Sequence, residues 1–247
     1  MERPQLLLVP QFTELEWAIA PRLAEWAEIA SFDIPGVGEE PLPDGELSDM
    51  TREVVADRGL REIDARGWQS FFVIGDSLGV AAAVRLARRR PAAVLGLALG
   101  HASLSYETEG ERPPLNGAVH DAMGQLLRSD YDSFVRYGMV QMTQGTYDED
   151  LAEKMIARFP PMEVTVEAWE TMRGLKEPIG DMLRELDKPL LFAKHEGCIA
   201  HTPEGFDDAV AVFPDARALA TERGPCADPA FAEAIREFCA DVSAGRL

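Results

Sequence analysis

The sequence predicts an α/β fold class, a mostly parallel sheet flanked by helices and carrying an inserted all-helical cap, and three observations support it. Short apolar runs alternate with longer helical stretches, as in a parallel sheet covered on both faces. The alternation stops between about 103 and 186, where amphipathic helical patterns follow one another with no convincing strand. A tight turn, Gly75-Asp76-Ser77-Leu78-Gly79, joins one apolar run to an alanine-rich helix.

In chain order, the strand candidates are Gln5 to Val9, Glu28 to Phe32, Ser70 to Ile74, Val94 to Leu99, Pro189 to Lys194 and Arg217 to Ala220. Helices are expected over Glu14–Trp26, Met50–Arg66, Leu78–Arg89, Glu204–Val212 and Ala230–Ala240. Residues 1–102 and 187–247 would then form one core around the 103–186 insertion. At 247 residues, an α/β chain commonly builds one such core. Seven of the nine methionines fall in the insertion, so its helices are expected to offer flexible apolar side chains, Met139 and Met142 among them, to a pocket.

Charge narrows the partners. With 24 Lys and Arg against 43 Asp and Glu, the formal net charge of -19 would repel a phosphate backbone or an anionic lipid surface. Neither nucleic acid nor membrane is expected as a partner, and a homodimer is left open. No run reaches the ~18 apolar residues of a membrane span. Cys198, Cys226 and Cys239 form no CxxC pair and would leave one thiol over in any disulfide scheme, which fits a reducing cytoplasm.

The Gly75-x-Ser77-x-Gly79 turn carries chemistry because of where it lies. Between an apolar strand and a helix, small residues on either side of the serine let it occupy a strained bend with its hydroxyl projecting above the sheet. The amide of Leu78 and the start of the helix would face a developing oxyanion.

With these residues the chain resembles the α/β-hydrolase superfamily, in particular the compact esterase, lactonase and haloperoxidase-like branch with a helical cap. Phe32-Asp33-Ile34-Pro35-Gly36-Val37-Gly38 is similar to the family's D-x-P-G-x-G loop, and Leu7 to Thr13 with Trp17 resembles its oxyanion strand and loop. Lys188 to Gly197 resembles the strand and turn that deliver the catalytic acid, and Asp228 to Phe238 the last helix. The resemblance implies an α/β-hydrolase fold with Ser77 as nucleophile, Glu196 as triad acid, and the Phe12 and Leu78 amides as oxyanion hole. A small apolar-to-amphipathic substrate is expected, with Gln11, Asp76, Met139 and Met142 as candidate pocket residues.

Two departures stand out. Pro10-Gln11 replaces the family's His-Gly before Phe12, and the loop Thr221 to Asp228, where the family places its histidine, has none. A serine hydroxyl needs a base within hydrogen-bond reach. His101, at the carboxyl end of the strand beside that of Ser77, is one candidate, with a pocket-lining role as its alternative, and a residue of the cap is the other. A structural role is expected for His195, a surface or capping position for His201, and a solvent-facing cap position for His120. The four histidines show no HxH or HxxxH spacing, and no glycine-rich phosphate loop is present, so no metal or cofactor is expected. Three functions remain open: a hydrolase of esters, lactones or thioesters; a triad-deficient lyase, isomerase or cyclase; and a ligand-binding protein without chemistry.

Overall fold

A computed structural model describes residues 3–40, 52–105, 115–141, 148–159, 162–163, 165–166, 169 and 178–247, apart from the side chains of 138, 139 and 141. The elements of the first half are β1 (Gln5–Val9), α1 (Ala20–Ala24), β2 (Glu28–Ala30), α2 (Arg52–Arg66), β3 (Phe71–Asp76), α3 (Gly79–Arg89) and β4 (Val94–Gly100). Those of the second half are α4 (Gly117–Ser129), α5 (Glu149–Arg158), α6 (Ile179–Leu186), β5 (Leu190–His195), α7 (Pro203–Val212), β6 (Arg217–Thr221) and α8 (Pro229–Ser243). All strand pairs are parallel, in the order β2-β1-β3-β4-β5-β6. The six expected strands are thus present, within a few residues of their expected ends.

Period-2 alternation explains why β1 reads as an unbroken apolar run. Leu7 and Val9 enter one core cluster, with Phe71, Val73 and the apolar faces of α2 and α3; Leu6 and Leu8 enter the other, with Phe72, Ile74 and α8 residues Phe231 and Phe238. Burying one such leucine fully is worth about 1.5–3 kcal/mol, so both buried faces of β1 help fix its register and, with it, the position of the serine turn.

One expected helix is broken. Glu14–Trp26 forms a 3₁₀ turn, Glu14–Glu16, and then the short α1. Pro21 is the reason, because it lacks an N–H and is tolerated only in the first turn of a helix, where α1 in fact starts.

Between β4 and β5 the described residues contain α4, α5, α6 and a π-helical segment, Phe134–Gln141, and no strand of the sheet. This segment is fastened at both sides of the sheet's carboxyl edge. The Arg158 side chain at the end of α5 pairs with Asp33, and its carbonyl accepts from the Gly38 amide at 2.8 Å. At the other side Leu115 bridges to His201, and the Asn116 amide donates to the Ala200 carbonyl at 2.8 Å.

Candidate active site

Ser77 follows β3 with φ +47°, in the left-handed region that strains a residue with a side chain. Packing holds it there: its amide donates to the Gly100 carbonyl at 3.0 Å, and the Val80 amide donates to the Ser77 carbonyl at 3.0 Å. Gly79 is required by a close approach, since a Cβ there would lie 2.4 Å from the Val9 carbonyl oxygen. The helix can therefore start directly against β1, and the serine hydroxyl sits at the carboxyl edge of the sheet.

The imidazole that meets this hydroxyl belongs to His201. Its Nε2 lies 3.2 Å from Ser77 Oγ. The expected surface or capping position is corrected here, because the residue is half-buried and is turned inward by two constraints. Thr202 caps α7, its Oγ1 accepting from the Gly205 amide at 3.3 Å, which fixes where the loop ends. The Leu115 bridge and the Asn116–Ala200 hydrogen bond press that loop toward the sheet. His201 Nδ1 faces Cys198 Sγ at 3.5 Å, so the chain of groups runs from the serine through the imidazole to a thiol.

His101 does not serve the expected role as Ser77's hydrogen-bond partner. It stands after β4 at φ +46°, buried, and its Nδ1 lies 2.9 Å from Asp76 Oδ1. Its ring stacks on that of His201, with centroids 4.7 Å apart and planes within 16°. The serine and His101 both occupy the sheet edge as expected, but Asp76 is aimed at His101 and captures it. Asp76, expected in the substrate pocket, is itself buried and is committed to this pairing.

Electrostatics couple these groups. Burial alone would lower the His101 pKa, but the Asp76 carboxylate, with help from Cys198, overcomes it and holds the imidazolium up to about 10. Burial would raise the Cys198 thiol, yet the two imidazoles beside it pull it down to about 4, making it an anion at neutral pH. At Cys226 and Cys239 burial is the leading cause and pushes both thiols up.

The two expected oxyanion donors differ. Among the described residues no acceptor engages the Leu78 amide, which opens α3. The Phe12 amide, in contrast, donates to Glu16 Oε1 at 2.9 Å, while the amides of Thr13 and Gln11 donate to the same carboxyl group at 3.1 and 2.9 Å. The expectation for Phe12 is thus corrected. Thr13-Glu14-Leu15-Glu16 is a capping box, a T-x-x-E pattern legible in the sequence, and its Glu16 carboxyl occupies the Gln11 and Phe12 amides that this loop would otherwise aim at a substrate. Gln11 is half-buried, its backbone amide held by this carboxyl.

Burial outweighs the three amide donors and pushes the Glu16 carboxyl up to about 8. The sign of the resulting pH dependence follows. Between pH 4.5, its unfolded value, and about 8, the folded chain keeps a proton that the unfolded chain releases, so stability falls as pH rises through that window. Replacing Glu16→Gln is expected to flatten this slope, by a few kcal/mol across the window, in urea unfolding at pH 5 and pH 8.5. An unchanged slope would refute the protonated, buried carboxyl.

A cavity of about 180 Å³ opens beside the histidines, lined by His101, Ser103, Glu196, Cys198, His201 and Phe206 among others. Glu196 stands exposed at the rim, and among the described residues its carboxylate makes no hydrogen bond to an imidazole, which corrects its expected place as triad acid. His195 lines the same cavity. His120 is half-buried against Trp169, rings 5.5 Å apart, rather than solvent-facing. Met142 and the side chain of Met139 lie outside the described residues.

His201 and Cys198 are the residues that sequence reasoning missed. The available signal was the local Cys198-x-x-His201 spacing, immediately after the strand Leu190–His195.

No protein-family model and no curated protein sequence matches the chain. Solved structures do. A bromoperoxidase from Bacillus anthracis superposes with a TM-score of 0.79 at 15% identity, covering 98% of this chain and 93% of its own. An enol-lactonase from Burkholderia xenovorans LB400 gives 0.73 at 15% identity, over 97% and 92% of the two chains. A thermophilic esterase from Thermogutta terrifontis gives 0.72 at 20% identity, over 98% and 91%. Near-complete coverage in both directions, together with the all-parallel sheet and the strained serine turn after β3, means that the chain has the α/β-hydrolase fold.

Proposed function

We propose that the chain is a hydrolase of small carboxylic esters or related acyl compounds in which Ser77 is the nucleophile and His201 its general base. The observation that carries this reading is the 3.2 Å approach of His201 Nε2 to the hydroxyl of a serine held at positive φ. As Oγ attacks a carbonyl carbon, Nε2 takes its proton and later returns it to the leaving group. The Cys198 thiolate at Nδ1 orients the ring and stabilises the imidazolium, a task that a carboxylate performs in the usual triad. The Leu78 amide at the α3 N-terminus receives the oxyanion. The helices between β4 and β5 act as the cap, and their Leu115–Asn116 strut holds the base in place.

A second reading rests on the Phe12 amide. With that donor bound to Glu16, one of the two expected amides is left for an oxyanion, which suits a reaction needing an acid or base without an acyl-enzyme. A fluorophosphonate probe separates the two. Stoichiometric labelling, mapped to Ser77 and abolished by Ser77→Ala, is expected for the hydrolase; a folded protein that resists the probe would leave the second reading standing.

A further inference from the structure

His101, Cys198 and His201 each offer one donor atom, and all three atoms lie within 4.8 Å of one another. We propose that they form a binding site for a borderline-soft divalent cation of the Zn²⁺ class, through His101 Nε2, Cys198 Sγ and His201 Nδ1, with the fourth position open to the adjoining cavity.

Geometry supports each ligand. In a tetrahedral Zn²⁺ site, bonds of 2.0–2.3 Å place neighbouring donors about 3.5 Å apart. His201 Nδ1 and Cys198 Sγ already stand at 3.5 Å. The two imidazoles stack with planes within 16°, and bringing donor atoms that lie within 4.8 Å to about 3.5 Å takes a contraction of up to about 1.3 Å around the sulfur. His101 provides an independent pointer: it is buried, and its Nε2 has no hydrogen-bond partner of good geometry. A buried ring nitrogen in that state is costly unless something fills the space before it. Its other nitrogen, Nδ1, meets the buried Asp76 carboxylate at 2.9 Å, which keeps a proton on Nδ1 and leaves Nε2 as the nitrogen whose proton a cation would displace. A carboxylate behind a histidine in this way is the arrangement that orients metal-bound imidazoles and strengthens them as ligands.

Donor chemistry decides the cation. Two imidazoles and a thiolate suit Zn²⁺ and disfavour Mg²⁺ and Ca²⁺, which require oxygen ligands. Three protein ligands with an open fourth position also match a site accessible to water or a small anion. Neither HxH nor HxxxH spacing announces it because the ligands come from two loops, one after β4 and one after β5.

One consequence rests on the serine-nucleophile reading. A cation on Nδ1 would keep the proton on His201 Nε2, which then donates to Ser77 Oγ instead of accepting from it, so the loaded protein would hold the serine idle.

Titration of the full chain with Zn²⁺ against a chromogenic chelator tests the site, and Co²⁺ adds a spectroscopic readout. Expected are stoichiometric Zn²⁺ binding not displaced by excess Mg²⁺, and a thiolate-to-cobalt charge-transfer band in the near ultraviolet. Both should vanish in Cys198→Ala, and Asp76→Asn should weaken binding by about 10- to 100-fold. His201→Gln repeats the test should Cys198→Ala lose its near-ultraviolet circular dichroism. Binding that is absent, or equal in the wild type and these folded variants, or without the charge-transfer band, overturns the proposal. Fluorophosphonate labelling of chelator-treated protein reports on Ser77 separately, so a failed metal site and a failed nucleophile give different results.

Discussion

Replacing His201→Ala is expected to slow fluorophosphonate labelling of Ser77, and any ester turnover, by about 10²- to 10⁴-fold, the usual contribution of a positioned base. His101→Ala should produce a smaller loss. The difference follows from contact: His201 Nε2 touches Ser77 Oγ at 3.2 Å, whereas His101 faces Asp76 and Cys198 and bears on the base through its stacked ring. A labelling rate unchanged in His201→Ala, with the fold intact, would remove His201 as base. A larger loss in His101→Ala would return that role to the residue on β4's edge.

Gly79→Ala is expected to be the most damaging single methyl in the sheet-edge turn. Its Cβ would lie 2.4 Å from the Val9 carbonyl oxygen and 2.8 Å from that of Pro10, and both obstacles are backbone. Neither can swing aside as a side chain can, so α3 must shift away from β1. The cost is put at about 3 kcal/mol or more, which for a chain of this size lowers Tm by roughly 6–12 °C. Gly180→Ala is the control. In α6 its Cβ would meet Leu104 side-chain atoms at 3.4 Å or beyond, ordinary contact, and replacing a helical glycine by alanine gains up to about 1 kcal/mol. Thermal unfolding of the two variants beside wild type gives the comparison; equal Tm values would show that the α3–β1 approach is not tight.

The strands and the serine turn were legible because their signals are local. An apolar run such as Leu6 to Val9 can satisfy its backbone and bury both faces only inside a covered sheet, and Gly75-x-Ser77-x-Gly79 states its own steric requirement. Pro21 carried an equally local warning that the Glu14–Trp26 helix must break. Thr13 and Glu16 likewise spelled a capping box, whose consequence for the Phe12 amide needed only the register of four residues.

The partner of Ser77 was not legible, because nothing local aims a loop. His201 sits 124 residues from Ser77, at the end of a turn whose path depends on the Thr202 cap and on the Leu115–Asn116 strut from the helical insertion. His101 was placed on the right edge by its strand, but its ring orientation was settled by Asp76, one residue before the serine. The sequence by itself determined the parallel sheet, its helical cover and the sharp turn that carries the hydroxyl, since periodicity and steric allowance act over a few residues. Which imidazole meets that hydroxyl, which thiol stands behind it, and which amide is withheld from it were decided only by tertiary structure, because side-chain hydrogen bonds are set within a few ångströms by segments far apart in the chain.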